Sequence, residues 1–394
     1  MKILYIHQDG QYTGSAISLS YLIYHLDRTR FEPWVLMAEE GPARKLFEAA
    51  GAKVEVKMFR RFWTAPGPRW FALASWRQWL FFLPQTALKK WVKLRAPSII
   101  HLNDKATAPA GWALKSLGIP IVQQLRSTYF STTSAFNKWL SINMIRYFSD
   151  AYIAISEDEI EGFEPQRPDV IFNSIDLYKA VHARNSRSEI RAKYSIQEQD
   201  FLVGYLSVVS PLRGIWNFLD MAKHIQSLEK TALSSNFVDK FKYMVVGALP
   251  QEDFQKNQLT ARIEKTGMTD RLIFTDFRQD SLGYLAAFDL LVVCNEHGVL
   301  GRPPLEALAV GTPVVAFCGH SGKSRVLKDG ISAKLVKRGD IASLAEAVVY
   351  LAQSPVTYAQ LCENALSYAQ ENFSPEKNAR KVMAVYERLL KSHA

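Results

Sequence analysis

Short apolar runs alternate with stretches of helical spacing along most of the chain. Ile3–Ile6 predicts a buried strand, and Gly14–Leu26 carries Ile17, Leu22, Ile23 and Leu26 on one helix face. Strands are then expected at Trp34–Met37, Lys53–Val56, Ser98–Leu102, Pro120–Leu125 and Ala151–Ile155, with helices at Ala43–Ala50 and Ala108–Leu117 between them. Ser156, followed by Glu157, Asp158 and Glu159, has the pattern of a helix N-cap and acidic first turn. Residues 177–198 are charged and poor in large apolar side chains, which predicts an irregular linker.

Past Asp200 the alternation resumes. Strands are expected at Leu202–Leu206, Tyr243–Val246, Leu272–Thr275, Leu290–Val293 and Pro313–Ala316. Helices are expected at 214–228, 281–287, 303–310, 342–351, 355–371 and 376–390. Strand and helix in regular alternation predict an α/β fold with parallel sheets. A chain of 394 residues exceeds what one core holds, about 250–300 residues, so two Rossmann-like domains are expected. They span 1–176 and 199–372, with the linker at 177–198 and a last helix, 373–394, packing on the first domain.

The richest chemistry lies in 289–316. A strand ends in the polar turn Asn295–Gly301, Pro303 and Pro304 mark a helix start, Glu306 sits in its first turn, and Gly311 stops it. Parallel sheets bind ligands at the carboxyl ends of their strands, where helix N-termini favour phosphate. Glu306 there either accepts hydrogen bonds from a sugar diol or only complements the helix dipole.

Composition adds three points. Hydrophobic residues at 48% and charged residues at 22% suit a globular protein, and Cys294, Cys318 and Cys362 lack metal-ligand or disulfide spacing. The apolar start breaks at His7-Gln8-Asp9, too soon for a signal peptide, so a cytoplasmic protein is expected. The net charge of +10 is concentrated: no acidic residue occurs between Val56 and Asn103, while Arg60, Arg61, Arg77 and six other Lys or Arg side chains do. Within 59–95 these cations interleave with Trp63, Trp70, Trp76, Trp79 and Trp91, the composition of a surface that enters an anionic headgroup layer. Arg77 interrupts the longest apolar run, so the segment would lie on a bilayer rather than cross it. An ordinary solvated helix over a core, and a nucleic-acid surface, are the two other readings; no nucleic-acid motif supports the last.

Two motifs fail on inspection. Asp9–Ala16 opens a helix but lacks G-x-G-x-x-G, and Gly319–Ser324 lacks the first glycine of a phosphate loop because Phe317 stands there.

The stretch Gly301, Arg302, Glu306, Ala307, Leu308, Ala309, Gly311, Pro313, Val314, Val315 resembles the donor motif of GT-B nucleotide-sugar glycosyltransferases, in particular the retaining family 4. Asn173-Ser174-Ile175-Asp176, the loop 207–214 and the turns at Asp329-Gly330 and Gly339-Asp340 are similar to family segments too, so the resemblance covers nearly the whole chain. It implies two Rossmann-like domains facing a cleft, and transfer of a sugar from a nucleoside diphosphate with retention, without metal or other cofactor. It further implies Glu306 at the ribose, Arg213 at the pyrophosphate, and Gly14, Ser15, Ser207, Asn295, Gly301, Arg302 and Pro303 around the donor. Arg126 stands where relatives often have a histidine near the transferred sugar, and Glu296 lies two residues before Gly298, which replaces the first glutamate of the family's pair. Val208 and Arg325 replace two further family residues. The expected partners are a nucleotide sugar, a glycan or lipid-linked acceptor and an anionic membrane at its inner face. The alternatives are a non-catalytic binding protein on the same fold and, third, a sugar-nucleotide epimerase, for which no acid–base carboxylate pair is found.

Overall fold

The computed structural model describes residues 1–61, 85–127, 135–160, 162–163, 168–228, 235–250, 252–295, 301–318 and 326–393. The chain forms two units, Met1–Ser174 with Pro375–Ala394, and Ile175–Ser374.

In the first unit the apolar runs become parallel strands: β1 Lys2–His7, β2 Glu32–Met37, β3 Lys53–Val56, β4 Ile99–Leu102, β5 Ile121–Leu125, β6 Ala151–Ala154 and β7 Asp169–Val170, in the order β3-β2-β1-β4-β5-β6-β7. Residues on β1 alternate between two cores, since successive side chains of a strand point to opposite faces. Ile3 and Tyr5 join the cluster under the helix Gly14–Tyr24, and Leu4 and Ile6 join the one under the helix Ala108–Leu114. The last helix, Pro375–His393, belongs to this unit and buries Ala379, Val382, Val385, Tyr386 and Leu389 in the first of these cores.

The second unit repeats the plan with β8 Phe201–Leu206, β9 Phe241–Val246, β10 Leu272–Thr275, β11 Leu290–Val293, β12 Val314–Phe317 and β13 Ala333–Val336. Their order is β10-β9-β8-β11-β12-β13, all pairs parallel. Both sheets therefore reverse direction of winding at one place, between β1 and β4 and between β8 and β11. Doubly wound sheets bind ligands outside the carboxyl ends of the strands at that point.

The expected linker is not irregular. Leu177–Ala183 and Arg187–Lys193 are helices of the second unit. Their scarcity of apolar residues has a structural reason: arginines hold them. Arg187 donates to the carbonyls of Ala286, Ala287 and Phe288 at the end of the helix Ser281–Ala287, and Arg184 donates to Val310 O (2.9 Å) at the end of the helix Pro303–Val310. Cations at helix C-termini satisfy orphan carbonyls and complement the dipole. Asp289 anchors the set, accepting from Arg187 (2.5 Å), Arg191 (2.9 Å) and the backbone N–H of Leu202 (2.6 Å).

Ser156 likewise opens only the 3-10 turn Glu157–Ile160, not a helix. Its hydroxyl is committed to the Glu159 carboxylate (2.5 Å) while accepting from the Asp158 N–H. Among the described residues no helix is long and apolar enough to cross a membrane.

Candidate functional site

At the switch point of the second sheet, the loop 207–214 leaves β8 and is pinned from both sides. Ser207 N donates to Val246 O at the end of β9, and Val209 N to Ala248 O just beyond it. Gly214, at φ 84°, lies against the end of β11 so closely that a Cβ there would come within 2.0 Å of Cys294 O. Only glycine fits that combination of backbone angle and contact. Cys294 Sγ donates back to Gly214 O (3.2 Å), Asn217 Nδ2 donates to Cys294 O (3.0 Å), and the Tyr205 hydroxyl lies within reach of Val208 O and Arg213 O.

Arg213 ends the turn Pro211–Arg213, half-buried, and its guanidinium makes no hydrogen bond or ion pair with another described residue. A cation on a fixed backbone with unused N–H groups suits a bidentate anion. Val208, at the position of the family's arginine, is 57% exposed.

Glu306 occupies the first turn of Pro303–Val310, as expected. It is already held: Arg302 Nε donates to Oε1 (3.0 Å) and Ser281 Oγ to Oε2 (3.2 Å). A carboxylate has about four acceptor sites, so two remain for a ligand diol. The Ser281 contact brings the N-termini of two helices together, and the arginine clamps described above hold their C-termini. Gly301, at φ 72°, leads into the helix through Arg302 and Pro303, and Asn295 follows Cys294 beyond β11. Phe277, in the loop beyond β10, is 61% exposed. Glu296, Gly298 and Arg325 lie outside the described residues.

The first unit's switch point is unlike the second's. Arg126 does not stand open to a phosphate but is 8% exposed beneath the carboxyl edge of the sheet. Its Nε donates to Asn103 Oδ1 (2.9 Å), and its terminal nitrogens donate to Asn173 Oδ1 (2.7 Å) and Gln124 Oε1 (2.9 Å). Three amide oxygens replace the water that a buried guanidinium loses. Gln124 Oε1 also meets His101 Nε2 (2.9 Å), and His101 Nδ1 meets the Tyr386 hydroxyl (2.6 Å) of the last helix. Burial pushes the His101 pKa down to about 3, so the ring is neutral.

Beside this network Asp104 accepts from Ser127 Oγ (3.2 Å), and burial raises its pKa. Glu159, 4% exposed, is pushed up to about 7 by burial, against the opposing pull of Ser156 and Lys105. None of His101, Asn103, Gln124 and Tyr386 stands out as a motif. The signal was a polar residue inside or just after an otherwise apolar strand, as with His101 in Ile99–Leu102.

Gly14 and Ser15 open the helix Gly14–Tyr24 behind the N-cap Thr13, and Ser15 Oγ contacts Gln8 Nε2 (3.1 Å) and Thr13 Oγ1 (2.9 Å). Of the expected headgroup-binding residues, Trp63, Trp70, Trp76, Arg77 and Trp79 lie outside the described residues. Arg61 turns inward, donating to Gln8 O and pairing with Glu39 (2.7 Å), while the Arg60 backbone N–H donates to Gln85 Oε1 (2.9 Å). Trp91 and Arg95 are drawn to Glu55, an acid from the edge of the basic segment. On the helix Thr86–Arg95 that leaves Lys90, Lys93 and Leu94 exposed. Among the described residues no group of three or more His, Cys, Asp or Glu could hold a metal ion.

Known proteins agree with this architecture. Residues 12–179 match the model of Glycosyltransferase Family 4 and residues 186–371 that of Glycosyl transferases group 1. The chain is 24% identical over 225 residues to a 2-deoxystreptamine glucosyltransferase of Streptomyces kanamyceticus, covering 56% of this chain and 54% of that one. It is 30% identical over 139 residues to the lipopolysaccharide core biosynthesis mannosyltransferase LpsB of Rhizobium meliloti, covering 34% and 39%. The chain thus spans about half the length, or less, of these curated relatives. Among solved structures, Anabaena HepE in complex with UDP superposes with TM-score 0.79 at 21% identity over 98% of this chain and all of that one. Its complex with UDP-glucose gives TM-score 0.76 at 23% identity, over 98% and 100%. With the sheet order, the last helix returning to the first unit and both halves matched, this chain belongs to the group 1, family 4 glycosyltransferases of the GT-B fold.

Proposed function

We propose that the protein moves a sugar from a nucleoside diphosphate sugar to a hydroxyl of a glycan acceptor, with retention of anomeric configuration and without a metal cofactor. The observation that carries this is the guanidinium of Arg213, without a hydrogen-bond or ion-pair partner among the described residues, on a loop pinned to the end of β11. Negative charge develops on the departing diphosphate in the transition state, and a preorganised cation there is worth most. Glu306 receives the ribose hydroxyls on its remaining acceptor sites, and Phe277 offers an aromatic face to the base. HepE was crystallised with UDP-glucose, which makes that donor the first probe.

Thermal-shift titration of the full chain with a panel of nucleoside diphosphate sugars tests the reading. Arg213→Ala is expected to weaken the best donor roughly tenfold to a hundredfold, the range for hydrogen bonds to a charged group. An unchanged affinity would remove Arg213 from the pyrophosphate. A binding protein without turnover is the second reading, favoured by the neutral, exposed Val208 where the family has a cation. Donor hydrolysis and transfer assays separate the two.

The acceptor is proposed to be lipid-linked and reached from the cytoplasmic face of a membrane, as in surface polysaccharide or glycolipid assembly. Support comes from the acid-free segment 57–102 and from Lys90, Lys93 and Leu94 on one exposed helix. Flotation with anionic liposomes should carry the protein upward, and Lys90→Glu with Lys93→Glu should leave more of it at the bottom. Equal flotation with neutral lipid would argue against the electrostatic part.

A further inference from the structure

The helices Ser281–Ala287 and Pro303–Val310 of the second unit are tied to each other twice. One tie is buried: Thr312, 4% exposed and just past the end of the second helix, donates from Oγ1 to the carbonyl of Leu285 in the first (2.7 Å). The other is Ser281 Oγ to Glu306 Oε2 (3.2 Å), between half-buried residues of the two first turns. Local sequence puts the serine there. Asp280 caps its helix by accepting from the Gly283 N–H (3.0 Å), and a Cβ on Gly283 would come within 2.2 Å of Asp280 Oδ2. The run Asp280-Ser281-Leu282-Gly283 therefore makes Ser281 the first helical residue.

Carboxylate oxygens accept, so the one Ser281 proton goes to Oε2 while Arg302 Nε supplies Oε1 (3.0 Å). The Glu306 side chain keeps 13% of its surface exposed, so it is not sealed from a ligand. A glutamate has three rotatable bonds, and a free one loses that freedom when a ligand orders it. A carboxylate held beforehand at both oxygens avoids the loss, and its remaining lone pairs have set directions. The Thr312 tie and the buried apolar faces already join the helices, so the serine hydroxyl is spare as a fastener but not as an aim for the carboxylate. We infer that Ser281 is a positioning residue for Glu306, holding Oε2 while Arg302 holds Oε1, and that this aim lets the site tell a complete ribose diol from one lacking a hydroxyl.

This rests on the proposed function, which puts the ribose at Glu306, and the test keeps the two apart. Calorimetric titration of the full chain compares UDP with 2′-deoxy-UDP and 3′-deoxy-UDP, for the wild type, Ser281→Ala and Ser281→Thr; the GDP and ADP series serve in the same way for another base. The wild type is expected to bind UDP about tenfold or more tightly than at least one deoxy analogue, the range for a hydrogen bond to a charged group. Ser281→Ala should weaken UDP about threefold to tenfold and that analogue less than about twofold, so that the two changes are coupled. Ser281→Thr keeps the hydroxyl and should stay within about twofold of the wild type for both ligands. A serine that only fastened the helices would weaken all the nucleotides equally. Equal losses for UDP and the analogue, UDP affinity untouched in Ser281→Ala, or no recovery in Ser281→Thr overturns the inference and leaves the proposed function standing. A wild type that holds UDP and both deoxy forms alike removes Glu306 from the ribose, and the inference falls with that part of the proposed function.

Discussion

Arg213 and Arg126 both stand at the carboxyl edge of a parallel sheet, yet the structure uses them oppositely. The first has no partner among the described residues and suits an arriving anion; the second is consumed by three amide oxygens. Sequence alone could not separate them, because the difference lies in side chains contributed by β5 and by the turns after β4 and β7. Glu159 is a further case of environment deciding chemistry. Its pKa of about 7, against the ordinary 4.5, means the folded state keeps a proton that the unfolded state releases between those values. Stability from this group is therefore complete below pH 4.5 and lost as pH rises through 7. His101, lowered to about 3, acts with the opposite sign, losing stability as pH falls from 6.5. Comparing Glu159→Gln with the wild type isolates the glutamate. The variant should be unchanged at pH 4 and more stable at pH 8, by on the order of 3 kcal/mol, in denaturant titrations. A constant difference across that range would show that Glu159 is not held protonated.

At the scale of elements, the strands and the donor-side helices were legible because each is a buried apolar run or a capped segment. Leu272–Thr275, Leu290–Val293 and Pro303–Val310 fall where periodicity and the proline and glycine signals put them. The helices at 177–193 were not legible. Apolar periodicity reports helices that bury a greasy face, and these are fastened by guanidinium groups to helix ends and to Asp289. That fastening can be tested. Asp289→Asn leaves the buried Arg191 without its counter-charge, and removing one partner of a buried pair costs about 3–5 kcal/mol. The loss should appear in chemical unfolding of the full chain, together with weaker donor binding, because the helix Ser281–Ala287, whose Ser281 holds Glu306, ends on the arginines that Asp289 fixes. Wild-type stability in this variant would mean that the arginines are sufficiently held by carbonyls alone.

For the whole molecule, the order of segments matters as much as their fold. The first unit's core is completed by Val382, Val385, Tyr386 and Leu389, which come after the entire second unit in sequence. Burying each such side chain is worth about 1.5–3 kcal/mol, so their sum is comparable to the stability of a domain, about 5–15 kcal/mol. A chain ending at Ser374 should therefore lose the unfolding transition of the first unit in calorimetry and retain that of the second. Retention of both transitions would show the last helix to be dispensable. The two-domain plan and this return were legible from the doubled alternation and the family resemblance. The Tyr386–His101 contact was not, since nothing in either segment names its partner.

That contact also imposes a timetable on the ribosome. The nascent N-terminal sheet emerges early, but Tyr5 and His101 stay uncovered until translation has passed residue 386, by which time the middle of the polypeptide has everything needed to fold. The first half to be made is the last to mature, and throughout that delay the flank that Val382, Val385, Tyr386 and Leu389 will cover stays bare.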